Sequence, residues 1–385
     1  MLKLLIITSP NPLGTGGQVR NYYVLRELIR GNLIEDSTLI VDNTPNNIIH
    51  ELEGLGYRVV TVRGFSKIME NEQYLANLLL SKSKMLKRGV YDLVISQSEH
   101  SKYVQVAYVI HKLLKIPWTV IIQSYLWLDP FRYRLSVSTM IRTLVSINLL
   151  NKTLVHVVSD AIPQTLSSRG INLKSYSLLD IPVGLEYELI DQALKEIPEK
   201  EYDLAYMARI AWGKGVLDLI RVVYLLKRVG IDAKVMVIGE FSDEVLKERF
   251  LKYAKELDVL RNFVFTGFVS GVKKYKMLSR AKVFVYPSRV DVFPISLLEA
   301  LAVGLPAVIF NSSYAHLFGD YVITAQSSEE MTKAIHALLL NEGLREELGR
   351  RARTFSRKFT HEAAARCEYK AYLKTLEWFV RYVKA

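Results

Sequence analysis

The chain has 385 residues, half of them hydrophobic, with 51 Lys and Arg against 39 Asp and Glu. That length and composition suit two globular domains, each able to bury a core. A single cysteine, Cys367, excludes an internal disulfide framework and a cysteine-based metal cluster, and no apolar run is long enough to span a bilayer.

The opening MLKLLIITSPNPLG has too short an apolar core for a signal peptide and reads as a first buried strand, residues 4–8. SPNPLGTGGQVRNYYVLREL follows as a Pro/Gly loop entering a helix with Val24, Leu25, Leu28 and Ile29 on its apolar face. Gly14, Gly16 and Gly17 let the backbone approach a ligand at that helix N-terminus. The pattern is not the G-x-G-x-x-G, followed by an acid about twenty residues on, of a dinucleotide-binding fingerprint. Further strands are predicted at 38–41, 58–62, 92–96, 118–122, 154–158 and 176–179, with helical segments between. Such alternation predicts an α/β fold with a parallel sheet covered on both faces, its ligands at the carboxyl ends of the strands. Gln123 and Ser124 follow the strand ending at Ile122, where the Gln123 amide can hydrogen-bond a ligand. His100 follows the strand ending at Ser96, although a lone loop histidine is more often a surface residue.

The net charge of +12 is concentrated in this half. Residues 82–174 hold 13 Lys/Arg and 4 Asp/Glu, a balance of +9. A basic surface suits anionic lipid, nucleic acid or a phosphorylated ligand, and a generally basic proteome accounts for it nearly as well. Residues 131–152, FRYRLSVSTMIRTLVSINLLNK, mix aromatics, arginines and aliphatics at helical spacing. They read equally as an amphipathic patch on an anionic membrane and as a helix packed on the sheet with its arginines outward.

IPVGLEYELIDQALKEIPEKEYD marks a domain boundary, and a strand at 202–207 opens the second half. In ARIAWGKGVLDLIRVVYLLKRVG, Arg209 and Lys214 flank a turn that leads into a helix. A planar guanidinium and a compact ammonium there suit phosphate oxygens. Strands follow at 234–238 and 262–266, the latter leading to Val269. AKVFVYPSRVDVFPISLLEALAVGLPAVIF then reads strand, loop, helix, strand. Pro294 offers a fixed φ for a first helical turn, Ile295, Leu298, Leu301 and Ala302 recur at helical spacing, and Gly304 with Pro306 stops the helix. Asp291 on the loop and Glu299 in the helix are separated by seven residues, beside the backbone N–H groups of Phe293 to Ser296. Carboxylates next to free N–H groups suit a ligand carrying both hydroxyls and phosphates. After Glu329 the chain is mostly helical, ending in a helix with Ala365, Tyr369, Tyr372, Leu376, Phe379 and Val383 on one face.

This text resembles the retaining GT-B glycosyltransferases of family 4, the glycogen-synthase-like group, strongly over 202–310 and more weakly in the first half. The resemblance implies two facing Rossmann-like domains with a cleft between. Residues 1–187 are the acceptor domain, 188–361 the nucleotide-sugar donor domain, and a terminal helix, 362–385, packs back on the first. It also implies transfer of a sugar from a UDP- or GDP-linked donor to an acceptor, a lipid or lipid-linked glycan among the candidates. No cofactor, no metal and no nucleic acid are expected. The resemblance assigns catalysis to Arg209, Lys214 and Asp291, the last standing where the family has Glu. Donor binding falls to Gly16, Gly17, Val269, Asp291, Phe293, Pro294, Ile295 and Glu299, with Glu299 on the ribose. Gln123, where the family often has His, and His100 lie on the acceptor side. A cytoplasmic enzyme, peripheral at an anionic membrane, is the matching location. The rival readings are a nucleotide-sugar 2-epimerase on the same fold and a non-catalytic basic module that binds membrane or nucleic acid.

Overall fold

The computed structural model describes residues 1–42, 44–62, 89–128, 137–196 and 199–383. It divides into two units. Unit 1 is Met1–Gly184 with Phe359–Ala385, and unit 2 is Leu185–Lys358. The boundaries fall three residues before those expected from the sequence.

In unit 1, strands β1 (Leu2–Thr8), β2 (Ile34–Val41), β3 (Arg58–Thr61), β4 (Leu93–Ser96), β5 (Trp118–Ile122), β6 (Val155–Val157) and β7 (Tyr176–Leu178) form a sheet in the order β3-β2-β1-β4-β5-β6-β7. Every pairing is parallel. Helices α1 (Gly16–Arg30), α2 (Asn46–Gly54), α3 (Ser101–Leu114), α4 (Val137–Leu150) and α5 (Ala161–Ser167) connect the strands. Central strands are apolar throughout because helices cover both sheet faces, so Leu4 to Ile7 and Leu93 to Ile95 are fully buried.

Unit 2 begins with α6 (Tyr187–Ala193). Its sheet has strands β8 (Tyr202–Met207), β9 (Val235–Ile238), β10 (Phe263–Gly267), β11 (Ala281–Tyr286), β12 (Ala307–Phe310) and β13 (Ile323–Ala325), in the order β10-β9-β8-β11-β12-β13. Between and after them come α7 (Val216–Arg228), α8 (Glu244–Glu256), α9 (Gly271–Leu278), α10 (Ile295–Ala302), α11 (Ser328–Leu340) and α12 (Glu342–Ser356). The core packs Leu219 and Val223 of α7 and Met331 and Ile335 of α11 against Leu204, Val235, Val283 and Val308 of the strands. Strand β13, only three residues long, has no sequence signature of its own and is held by pairing with β12. Pro294 sits at the N-cap of α10 with φ −78° and ψ 107°, so it precedes the first helical turn rather than joining it.

The last helix, α13 (His361–Tyr382), belongs to unit 1 and packs along α1. Its buried face differs from the predicted one. Glu368, Ala371 and Thr375 point inward with Ala365, Tyr372 and Phe379, while Val383 is exposed. The reason is polar. The Glu368 carboxylate accepts from Arg20 of α1, from Gln97 Nε2 at 2.9 Å and from Tyr372. Thr375 Oγ1 meets His156 Nε2 at 2.8 Å. A buried carboxylate needs such partners, and a hydrophobic-periodicity reading cannot anticipate them.

Helix α4 also departs from expectation. Its outward residues are Ile141, Leu144 and Val145, whereas Arg142 is half-buried and Thr143 and Ser146 face the protein. Residues 131–136, with Arg132 and Arg134, lie outside the described residues.

Candidate functional site

Each sheet reverses its strand order once, between β1 and β4 in unit 1 and between β8 and β11 in unit 2. In an open parallel sheet this reversal opens a crevice at the carboxyl ends, where ligands bind. The two motif-bearing loops of unit 2 leave from β8 and β11, the strands that flank the reversal.

After β8 the chain runs through exposed Arg209, which has no carboxylate partner among the described residues, into a turn ending at Gly215. Tyr206 Oη donates to the Lys214 carbonyl at 3.1 Å, and Arg289 N–H to the Gly213 carbonyl at 3.0 Å, which ties the turn to the loop after β11. Gly215 has φ +74°, and a Cβ there would lie 1.9 Å from the Pro287 carbonyl oxygen. Only glycine allows that approach.

The loop after β11 carries Asp291, and both of its oxygens are engaged. Oδ1 pairs with Lys214 Nζ. Oδ2 accepts from Tyr286 Oη at 2.8 Å and from Ser288 Oγ. Burial, and then the Asp291 charge, push the Tyr286 phenol well above its ordinary pKa, so it remains a donor. The loop itself is anchored by Ser312 Oγ and Tyr314 Oη, which both donate to the Ser288 carbonyl, at 2.9 and 3.0 Å. Arg289 lies over the Phe310 ring at 3.8 Å and donates to Asp218 at 3.0 Å. Asp291 is therefore not a solvent-facing acid but the counter-charge of Lys214.

Phe293 packs on Phe318 with ring centroids 5.7 Å apart, Pro294 is buried, and Ile295 opens α10. The first-turn N–H groups of a helix lie outside its own hydrogen-bond ladder. Glu299 sits one turn further along α10 and is only 9% exposed. Its Oε1 accepts from Lys274 Nζ of α9 and from Tyr275 Oη at 3.3 Å. Sequence reasoning missed Lys274, which lies 25 residues away with nothing local to flag it. Val269, half-buried, lies between β10 and α9.

In unit 1, Thr15 caps α1 in a capping box with Gln18, so Gly16 and Gly17 form the opening turn. A Cβ on Gly17 would lie 2.5 Å from Gln123 Oε1, which brings the glycine loop against the exit of β5. Gln123 Nε2 donates to Asn21 Oδ1 at 2.8 Å and to the Gln97 carbonyl at 2.7 Å. The Gln123 N–H donates to Glu99 Oε2 at 2.9 Å. Glu99 is buried with no ion-pair partner among the described residues, and burial raises its carboxyl to about 7 despite backbone N–H donors that favour the charged form. His100 is not a surface residue. It occupies the N-cap position of α3 beside Tyr103, and burial lowers its imidazole to about 4.

The predicted residues thus gather at the carboxyl edge of each sheet: Arg209, Lys214, Asp291, Phe293, Pro294, Ile295, Glu299 and Val269 in unit 2, and Gly16, Gly17, Gln123 and His100 in unit 1. Residues 190–355 match the Glycosyl transferases group 1 family. The match spans nearly all of unit 2. Over 152 residues the chain is 26% identical to the alpha-galactosylglucosyldiacylglycerol synthase of Streptococcus pneumoniae, covering 39% of this chain and 39% of that protein. Over 125 residues it is 30% identical to the glycogen synthase of Mycobacterium tuberculosis, covering 32% and 29%. The chain therefore spans well under half the length of these relatives.

Similarity of fold extends further than similarity of sequence. Sucrose-phosphate synthase from Thermosynechococcus elongatus superposes with a TM-score of 0.74 at 15% identity, covering 98% of this chain and 100% of that one. Anabaena HepE, solved in complex with UDP-glucose, superposes with a TM-score of 0.72 at 13% identity, covering 97% and 100%. The fold is that of the GT-B glycosyltransferases, with two Rossmann-like units built on parallel sheets.

Proposed function

We propose that this protein is a retaining, metal-independent glycosyltransferase of the family 4 type, moving a sugar from a nucleotide-diphosphate donor to an acceptor. The observation that carries the reading is the placement of Arg209 and Lys214 on the exit of β8, and of Glu299 on the helix after β11, at the reversal of strand order. In this reading Arg209 and Lys214 receive the diphosphate and stabilise the charge that grows as it leaves. Asp291 acts through Lys214. Phe293, Pro294 and Ile295 present backbone to the donor, Val269 meets the base and Glu299 the ribose. Unit 1 contributes Gly16 and Gly17 to the donor and Gln123 to sugar hydroxyls. His100, neutral at physiological pH by its burial, is an acceptor-side group rather than a general acid.

HepE was solved with UDP-glucose, which makes UDP-sugars the first donors to try, with GDP-sugars next. No cofactor is needed. The acceptor is a lipid or lipid-linked glycan, and the location is the cytoplasmic face of a membrane. The outward apolar stripe of α4 and the name of the streptococcal synthase support that choice. No helix among the described residues is long and apolar enough to cross a membrane.

The test is turnover of UDP- and GDP-sugars in excess chelator, for the parent and for Glu299→Gln. We expect donor consumption in chelator and a raised donor KM in the variant, with the fold intact. Loss of all turnover in EDTA, restored by manganese or magnesium, would remove the metal-free site. An unchanged donor KM and rate would remove Glu299 from the donor site. Conversion of the nucleotide sugar to its 2-epimer without acceptor would favour the epimerase instead.

A further inference from the structure

Glu299 is held by a partner that the motif reading did not include. Lys274 Nζ and Tyr275 Oη, neighbours on α9, both donate to the same carboxylate oxygen, Oε1. No hydrogen bond to Oε2 occurs among the described residues. The side chains of the Lys274–Glu299 pair are 16% and 12% exposed, so the carboxylate is largely withdrawn from water, with its cation beside it.

An unrestrained carboxylate turns freely about its last torsion and offers either oxygen. Two donors fixed on Oε1 remove that freedom and leave Oε2 as the acceptor for a ligand. A carboxylate oxygen takes hydrogen bonds only from donors, and the vicinal hydroxyls of a ribose are donors. The pairing also changes the charge balance of unit 2's site. Lys214 pairs with Asp291 and Lys274 with Glu299, so with exposed Arg209 these five residues sum to +1, where without Lys274 they would sum to zero. A carboxylate so neutralised repels an incoming diphosphate less.

We propose that Lys274 is a positioning residue for ribose recognition: it pins Glu299 Oε1 so that Oε2 reads the hydroxyls of a ribonucleoside diphosphate, and so sets selection against deoxyribonucleotides. The proposal deepens the donor-site reading and rests on it. Holding an acceptor in its bound geometry before the ligand arrives improves affinity by reducing the ordering cost. Deleting one hydroxyl then leaves Oε2 unmatched, which penalises the wrong sugar more strongly than the right one is rewarded.

The experiment is calorimetric titration of the full chain with UDP, 2′-deoxy-UDP and 3′-deoxy-UDP, and the matching GDP set, for the parent, Lys274→Met, Lys274→Arg and Glu299→Gln. We expect the parent to prefer the ribonucleotide by about tenfold or more, the range for a hydrogen bond to a charged group. Lys274→Met should weaken the ribonucleotide about tenfold more than it weakens the deoxy analogues, so that the preference collapses. Lys274→Arg should restore it. A purely structural role for Lys274 would weaken all ligands alike and leave the ratio unchanged, which overturns the proposal. So does a Met variant that matches the parent while Glu299→Gln loses the preference; in that case the ribose assignment of Glu299 survives. If Glu299→Gln itself keeps the preference, or the parent binds neither nucleotide set, the underlying donor-site reading fails. Should the Met variant not fold by its melting curve, Lys274→Gln takes its place, with the same collapse of the ratio expected.

Discussion

Lys214 and Asp291 form one unit even though 77 residues separate them in the chain. Each was legible alone, Lys214 from its turn before a helix and Asp291 from its spacing to Glu299. Their pairing was not legible, because it depends on β8 and β11 becoming neighbours, which only the folded sheet decides. The pairing changes the expected kinetics. Arg209→Ala and Lys214→Ala should each lower kcat by about 10²-fold, the range for removing one stabiliser of developing charge. Asp291→Ala should lower kcat too, because Lys214 loses the group that aims it. If Asp291 works only through Lys214, the double variant Lys214→Ala/Asp291→Ala is no slower than Lys214→Ala alone. Multiplying effects in that cycle would give Asp291 a contact of its own with the substrate.

At the scale of an element, periodicity located the helices but not which side of them meets the protein. Helix α4 illustrates the difficulty. Thr143 Oγ1 donates to the Thr139 carbonyl and Ser146 Oγ to the Arg142 carbonyl, each at 3.0 Å. With their hydroxyls satisfied one turn back, these small polar residues can face inward. Ile141, Leu144 and Val145 then remain 53%, 46% and 45% exposed. The apolar spacing was visible in the sequence, and its outward direction was not. The α13 face was misjudged for the complementary reason, because Glu368 and Thr375 are buried by specific partners. An outward aliphatic stripe within a region of charge +9 should hold the protein on anionic vesicles at low salt. Basic residues near such a surface contribute about 1 kcal/mol each, screened over about 8 Å at physiological ionic strength. Replacing Ile141, Leu144 and Val145 by Ser should abolish co-sedimentation with vesicles while leaving donor hydrolysis unchanged. A parent protein that stays in the supernatant at low salt would assign this face to another purpose and make a soluble acceptor the better choice.

For the whole molecule, the strand–helix alternation was readable almost throughout, and among the described residues only the three-residue strand β13 was missed. What stayed hidden was the polar interior of unit 1. Burial depresses the imidazoles of His100, His111, His156 and His361, the second without a change of cause, and takes the others to about 4, 3 and 3. All four lie in unit 1. A base neutral when folded but protonated when unfolded contributes stability above its ordinary pKa of about 6.5, and that stability is lost as pH falls toward the folded value. Glu99 has the opposite sign. Its carboxyl is raised from 4.5 to about 7, so its contribution, about 3 kcal/mol, is complete below 4.5 and lost as pH rises through 7. The histidines outnumber it, so unit 1 should open before unit 2 on acidification from pH 6.5 to 4. Pulsed hydrogen exchange at one fixed labelling pH, after equilibration across that range, should expose amides of 1–184 while those of 185–358 stay protected. His156→Gln should move the opening to lower pH, and simultaneous opening of both units would refute the histidine account.

Helix α13 follows unit 2 in the chain yet completes the core of unit 1, which gives the order of synthesis a consequence. A ribosome releases residues 185–358 as one uninterrupted stretch, so unit 2 can reach its native state while the nascent chain is still attached. Unit 1 cannot, because Arg20 and Gln97 are made early and their partner Glu368 is made late. Until then a guanidinium destined for the interior has no carboxylate to meet, a costly arrangement that favours an open chain. The first half of the protein should therefore be the part that waits for the rest, guarded by chaperones or sensitive to protease until translation has passed the codon for Thr375.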